Sequence, residues 1–138
     1  MKHILLDTNI IIDLLAAREP FYAEAAELFS LADKKTIKLS VSALSIANTH
    51  YILSKFTNDQ DARKILRNFK VIISVLPLDD KVVDLALNSD FKDFEDGIQY
   101  FTAIENDQKL IVTRNKSDFK ASKIPVMTAG EFLKSIIV

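Results

Sequence analysis

Cysteine is absent from this 138-residue chain. Thiolate zinc sites, iron–sulfur clusters, thiol catalysis and disulfide staples are therefore excluded, and a reducing cytoplasm is a compatible and expected address. Glycine occurs twice and proline three times. With no Pro/Gly-rich linker, internal repeat or low-complexity segment, one compact domain over 1–138 is expected. Long apolar runs are also missing. No stretch approaches the roughly 18 residues of a membrane span, and Asp7 breaks the first apolar run too early for a signal peptide. No membrane role is expected. Net charge is only −1, so overall positive charge cannot be what holds nucleic acid.

What is present suits a soluble globular domain: 49% hydrophobic and 27% charged residues, enough to form a core without covalent staples. The charges are uneven. Arg63, Lys64, Arg67 and Lys70 form a basic run, Asp79 to Asp96 an acidic one, and Lys109 to Lys123 a second basic one. Each such run also suits an ordinary solvated face.

Apolar patterning predicts alternating strands and helices. Strands are expected at His3–Leu6, Lys38–Val41, Val71–Leu76, Leu110–Thr113 and, shorter, Pro125–Met127. Helices are expected at Ile10–Ala16, Phe21–Ala32, Ala43 to about Lys55, Asp59 or Asp61 to about Phe69, Lys81–Asn88, after Asp93–Glu95 to about Glu105, and Ala129–Ile136. Ser42 and Thr128 are the expected caps of two of them. The continuous β-branched run Val71–Leu76 predicts a strand covered on both faces. Strand–helix alternation implies an α/β fold with a mostly parallel sheet of four or five strands, whose ligands bind beyond the strands' carboxyl ends.

Several residues that could carry chemistry follow strands. Asp7 closes the first strand, Asn115 and Asp118 follow the fourth, and Asp96 starts a helix. If strands one and four are neighbours, these residues share one rim. Clustered carboxylates repel one another and resist ionising together. A divalent cation relieves that repulsion, and magnesium accepts a few carboxylates, several waters and phosphate oxygens. The set suits phosphodiester hydrolysis without a protein nucleophile. Taken singly, each acid also has a local explanation. Asp7 can cap a helix, Asp93, Glu95 and Asp96 can complement a helix dipole, and Asp118 can brace a turn.

The segments LLDTNIIIDLL, LSVSALSIANTHYIL and DFEDGIQYFTAIENDQKLIVTRNKSDF occur in the order and spacing of the PIN-domain family. The chain resembles that family from end to end, and within it the VapC-type ribonuclease toxins of toxin–antitoxin systems. The resemblance implies a three-layer α/β/α fold and metal-dependent endoribonuclease activity with Mg²⁺ or Mn²⁺. It also implies RNA as substrate, a small antitoxin as partner and a homodimer, for which the two N-terminal helices offer amphipathic surface.

The family's acidic positions map onto Asp7, Asp96 and either Asp118 or Asn115. The second position, usually glutamate, is Asn48. Asparagine can offer a carbonyl oxygen or orient water, but it is no base and removes one negative charge. That departure weakens the expectation of high activity and of two tightly bound metals. It leaves a single ion held by Asp7, Asp96 and a residue near Asp118, with Asn48 positioning water. Arg114, Lys116 and Lys120 flank this set and are candidates to neutralise RNA phosphates. Asp13 either pairs with Arg18 or lines the cleft, Asp93 supports the metal through water, and His3 and His50 are structural.

Two other acidic α/β classes fit less well. A haloacid-dehalogenase-type phosphatase needs an aspartate where Asn9 stands, and a phosphorylatable receiver needs strand-closing acids and a lysine that Leu76–Asp79 and Met127–Thr128 do not supply. The remaining alternative is a PIN fold with a decayed site that binds RNA or a protein without cleaving.

Overall fold

The computed structural model describes residues 1–136. Five strands form one sheet: β1 (Lys2–Leu6), β2 (Ile37–Ser42), β3 (Ser74–Leu76), β4 (Leu110–Val112) and β5 (Val126–Met127). Every pair is parallel and the order is β3-β2-β1-β4-β5. Parallel neighbours need long crossovers. They are supplied by α1 (Thr8–Leu15) and α2 (Tyr22–Asp33), by α3 (Ala43–Phe56) and α4 (Asp59–Phe69), and by α5 (Asp80–Leu87) and α6 (Phe94–Glu105). A single 3-10 turn, Lys116–Phe119, leads from β4 to β5, and α7 (Ala129–Ile136) closes the described chain.

The chain winds outward from β1 to β3, then crosses back to β4 on the other side of β1. A crossover in the reverse direction keeps its right hand only on the opposite face, so α5 and α6 cover the face that α1, α2, α4 and α7 leave open. The side-chain alternation of β1 matches this. Ile4 and Leu6 join Ile10, Leu28, Phe29, Leu66 and Phe132 on one face, while Leu5 joins Tyr100, Ala103, Ile111 and Phe119 on the other. The three-layer α/β/α expectation is met, at the upper end of the expected strand count. Both N-terminal helices place their apolar stripes in this core. Ile10, Ile11 and Ile12 of α1 and Ala25, Leu28 and Phe29 of α2 are all buried.

Ser42 and Thr128 cap as expected. The Ser42 hydroxyl accepts the Ser45 N–H at 3.0 Å. Thr128 accepts the Glu131 N–H at 3.1 Å while Glu131 accepts the Thr128 N–H at 2.9 Å, a reciprocal capping box. Three other helices begin at an Asx cap one residue or more before the expected start, at Asn58, Asp79 and Asp93.

The expected strand Val71–Leu76 is corrected. Only Ser74–Leu76 pair, with Ser40–Ser42. The amides of Val71 and Ile72 bond back to Asn68 and Phe69, extending the turn that ends α4. Val71 is 83% exposed, and Ile73 alone of these three enters the core. Apolar periodicity cannot distinguish a buried strand from the turn that delivers the chain to an edge strand.

Scarce glycine leaves a mark at the helix ends. α1, α2 and α6 each finish in a Schellman motif, whose left-handed position usually holds glycine. Here it holds Ala17 (φ 49°), Lys35 (φ 61°) and Asp107 (φ 56°). The paired bonds are complete in each case. After α2, for example, Thr36 N–H donates to Leu31 O at 2.9 Å and Lys35 N–H to Ala32 O at 3.0 Å. A left-handed residue with a Cβ costs roughly 1–2 kcal/mol, partly offset by glycine's greater freedom when unfolded. Lys35→Gly is therefore expected to stabilise by about 0.5–1 kcal/mol, read as a higher melting temperature. Lys35→Ala keeps the Cβ and should bring no such gain; equal gains from both would refute this account.

Candidate functional site

The sheet reverses its direction of winding between β1 and β4, and the residues after these two strands form the site. Asp7 directly follows β1. Its N–H donates to Val112 O at 2.9 Å, extending the pairing with β4 by one residue. Its side chain caps α1, with Oδ1 accepting the Thr8 N–H at 2.8 Å. Oδ2 accepts the Thr113 hydroxyl at 2.8 Å. The carboxylate is thus fastened to both strand ends and is only 8% exposed. Burial raises its pKa above the usual carboxylate range. The bonds from Thr113 and Thr8 oppose that shift, and the charges of Asp118 and Asp93 add to it.

Asp96 approaches from the first turn of α6, where its N–H donates to the capping Asp93 carboxylate at 3.1 Å. Its pKa is pushed up to about 7, first by burial and then by the charges of Asp7, Asp93 and Asp118. Asp118 lies in the 3-10 turn after β4, its N–H bonded to Asn115 O at 3.0 Å. Asp7, Asp96, Asp118, Asn115, Asn48 and Glu95 all line one cleft of about 260 Å³. The neighbour relation between strands one and four therefore holds, and both candidates for the last acidic position reach the cleft.

Two cleft residues escaped the sequence reading as site components. The Asn48 amide donates to Glu95 Oε1 at 3.3 Å, joining α3 to α6. Gln99 is 3% exposed, and its amide donates to Ser45 Oγ at 2.6 Å and Thr8 Oγ1 at 3.2 Å. These bonds tie the first turns of α1 and α3 to α6. The Gln99 carbonyl oxygen is buried and has no hydrogen-bond partner among the described residues. Its position one turn beyond Asp96 was the available signal for Gln99. Nothing in the sequence marks the bond to Glu95.

The flanking cations divide. Arg114 turns away from the carboxylates. Its Nε donates to the buried Asp13 at 2.8 Å, and its guanidinium stacks 4.1 Å above the Phe21 ring. Asp13 also faces Arg18 at 3.3 Å, so of the two expected roles it takes the paired one. Lys116 bonds Glu131 at 3.0 Å. Lys120 lines an adjoining pocket with Phe91, Lys92 and the site acids Asp93, Asp96 and Asp118, and among the described residues it joins no ion pair. His50 bonds Asp59 at 2.8 Å.

The donors are hard oxygens carrying excess negative charge, which suits magnesium or manganese and not a softer metal. Among the described residues no three acidic or histidine side chains close into a ready cage. Magnesium keeps several waters and needs only one or two direct carboxylates, so the set fits an ion held partly through water. The raised pKa of Asp96 marks a place where a hydrated cation would relieve an existing cost.

A parallel α/β/α sandwich with an acidic cleft over its central strands defines a class, and the comparisons name it. The sequence profile of the PIN domain matches residues 3–117, and the chain belongs to that family. A curated relative, ribonuclease VapC1 of Aquifex aeolicus (strain VF5), is 28% identical, with 95% of this chain and 93% of the relative covered. The fold matches FitAcB from Neisseria gonorrhoeae, with a TM-score of 0.70 at 20% identity over 92% of this chain and 98% of that one. It also matches a toxin–antitoxin complex from Klebsiella pneumoniae, with a TM-score of 0.67 at 23% identity over 91% and 97%. No helix among the described residues is long and apolar enough to cross a membrane.

The shift at Asp96 predicts a pH dependence. The folded chain holds this proton up to about pH 7, whereas the unfolded chain releases it near pH 4. Between those values the unfolded state binds fewer protons, so stability falls as pH rises. Chelator-treated protein should lose melting temperature between pH 5 and pH 8 relative to Asp96→Asn. Parallel profiles for the two proteins would contradict the assignment.

Proposed function

We propose that the chain is an endoribonuclease dependent on Mg²⁺ or Mn²⁺. In this reading it is the toxin of a type II toxin–antitoxin pair, acts in the cytoplasm, and is restrained by a small antitoxin protein. One observation carries the proposal: Asp7, Asp96 and Asp118 share a cleft at the carboxyl ends of the central parallel strands, with Asp96 shifted to about 7 by its burial there and then by the charges of its neighbours. Family membership and the ribonuclease name of the curated relative support the same reaction, and the toxin–antitoxin complex among the structural matches supports the same biology.

In this proposal Asp7 and Asp96 hold the ion, Asp118 or Asn115 completes its shell, and Asn48 positions water. The bound ion would polarise the phosphodiester, lower the pKa of a water and neutralise the departing oxygen. The chain supplies a rigid mount. Asp7 cannot swing, because Thr8 and Thr113 hold both its oxygens, and Asp96 is fixed on the first turn of a helix whose other side is core. Among the described residues Lys120 joins no ion pair and can meet a phosphate directly, whereas Arg114 and Lys116 must first leave Asp13 and Glu131. A homodimer belongs to the same proposal, but its surface lies outside the buried stripes of α1 and α2. The exposed Tyr51 and Phe56 of α3 offer an alternative apolar face.

The test is cleavage of a mixed RNA panel in Mg²⁺, Mn²⁺ or chelator. Cleavage should need metal and fall roughly 100-fold or more in Asp7→Asn, which removes a buried charge while keeping shape. A folded Asp7→Asn that cleaves as well as the wild type would sink the reading. RNA binding offers a second check. Lys120→Ala should reduce the slope of log affinity against log salt by about 1; an unchanged slope would remove Lys120 from the interface.

A further inference from the structure

Position 48 holds an amide where the family usually has an acid, yet the cleft does not lack a carboxylate there. The Asn48 amide on α3 donates to Glu95 Oε1 at 3.3 Å, so a carboxylate from α6 reaches the α3 side of the cleft. Among the described residues no lysine or arginine pairs with Glu95, and Asn48 is the only side chain that donates to it. A first-turn glutamate needs no such partner to complement a helix dipole.

The chemistry of the pair is directional. Two carboxylates at this separation would repel and one would be driven to hold a proton. An amide at 48 instead donates to the Glu95 carboxylate and holds it beside α3. Gln99 lies one turn beyond Glu95 on α6, and its buried carbonyl oxygen has no partner among the described residues. Glu95, Asp96 and Gln99, from two successive turns of one helix, all line the same cleft. A lone acidic cluster would leave the unpartnered oxygen of Gln99, a side chain on the cleft wall, unexplained.

We infer that Glu95 is a metal-facing carboxylate of this site: the acid absent from α3 at position 48 is supplied by the first turn of α6, with Asn48 holding it in place. The inference rests on the cleft being a cation site. It restores the charge that asparagine removes, and it makes Asn48 a positioning residue for a carboxylate as well as for water.

The test is Mn²⁺ binding to the full chain without RNA, followed by calorimetry and by the electron paramagnetic resonance of free Mn²⁺. Glu95→Gln should weaken binding about tenfold, while Glu27→Gln, an exposed glutamate on α2, should not. The exchange Asn48→Glu with Glu95→Gln moves the charge back to α3 across the same hydrogen bond and should restore affinity to within a few-fold. Asp7→Asn and Asp96→Asn report on the cleft itself and should largely abolish binding. If those two lose binding but Glu95→Gln matches the wild type, the inference is overturned and the cation site stands. If Asp7→Asn and Asp96→Asn also bind normally, the cleft reading fails and the inference with it. A double variant no better than Glu95→Gln overturns the exchange. Glu95 is solvent-exposed, so its loss should leave folding intact, checked by circular dichroism.

Discussion

The structure turns on the burial of one carboxylate, that of Asp7. An ionised group taken out of water costs several kcal/mol unless its lone pairs are filled. The protein fills them from two places far apart in sequence, the amide of Thr8 and the hydroxyl of Thr113. Thr113 can be there only if β4 lies beside β1, and β4 can lie there only if the chain reverses after β3 and crosses the opposite face. The strand order and the covering of both faces thus follow the same requirement as the site. The remaining cost appears as raised pKa values at Asp7 and Asp96, the electrostatic state that a cation stabilises.

Much of this was legible before any coordinates. Short apolar runs ending in Asp7 and Thr113 mark β1 and β4, and the positions of Ser42 and Thr128 mark two helix starts, because caps act within three residues. The acids Asp7, Asp96 and Asp118 were legible as a set once strand adjacency was assumed. What was not legible depends on tertiary contact. Val71 and Ile72 have strand chemistry, but the reach of α4 winds them into its last turn. Lys35 and Asp107 occupy left-handed positions that sequence reading assigns to glycine. Glu95 sat inside an acidic run that reads as a solvated face, and its bond to Asn48 spans two helices.

The basic run after β4 shows how pairing redistributes charge. By sequence, Arg114, Lys116 and Lys120 form one positive flank. In the fold, Arg114 closes on the buried Asp13 and braces the β4 loop against α1, while Lys116 closes on Glu131 and braces it against α7. These two cations thereby become struts of the loop that carries Asn115 and Asp118, and the cleft keeps its negative field. A polyanion such as RNA would meet repulsion at these acids and attraction beside them, near Lys92 and Lys120.

The sheet's outer strands carry a different consequence. β3 pairs over three residues and β5 over two, so each border exposes only a short row of unpaired amides and carbonyls. Edges that short are poor templates for strand addition, which protects a chain this apolar from growing into fibrils through its sheet. It also limits how another polypeptide can hold on. A partner gains little by lengthening the sheet and must instead seat itself on helix surfaces or reach a side chain into the acidic cleft. Recognition of this protein therefore depends on side chains and shape, not on shared backbone pairing.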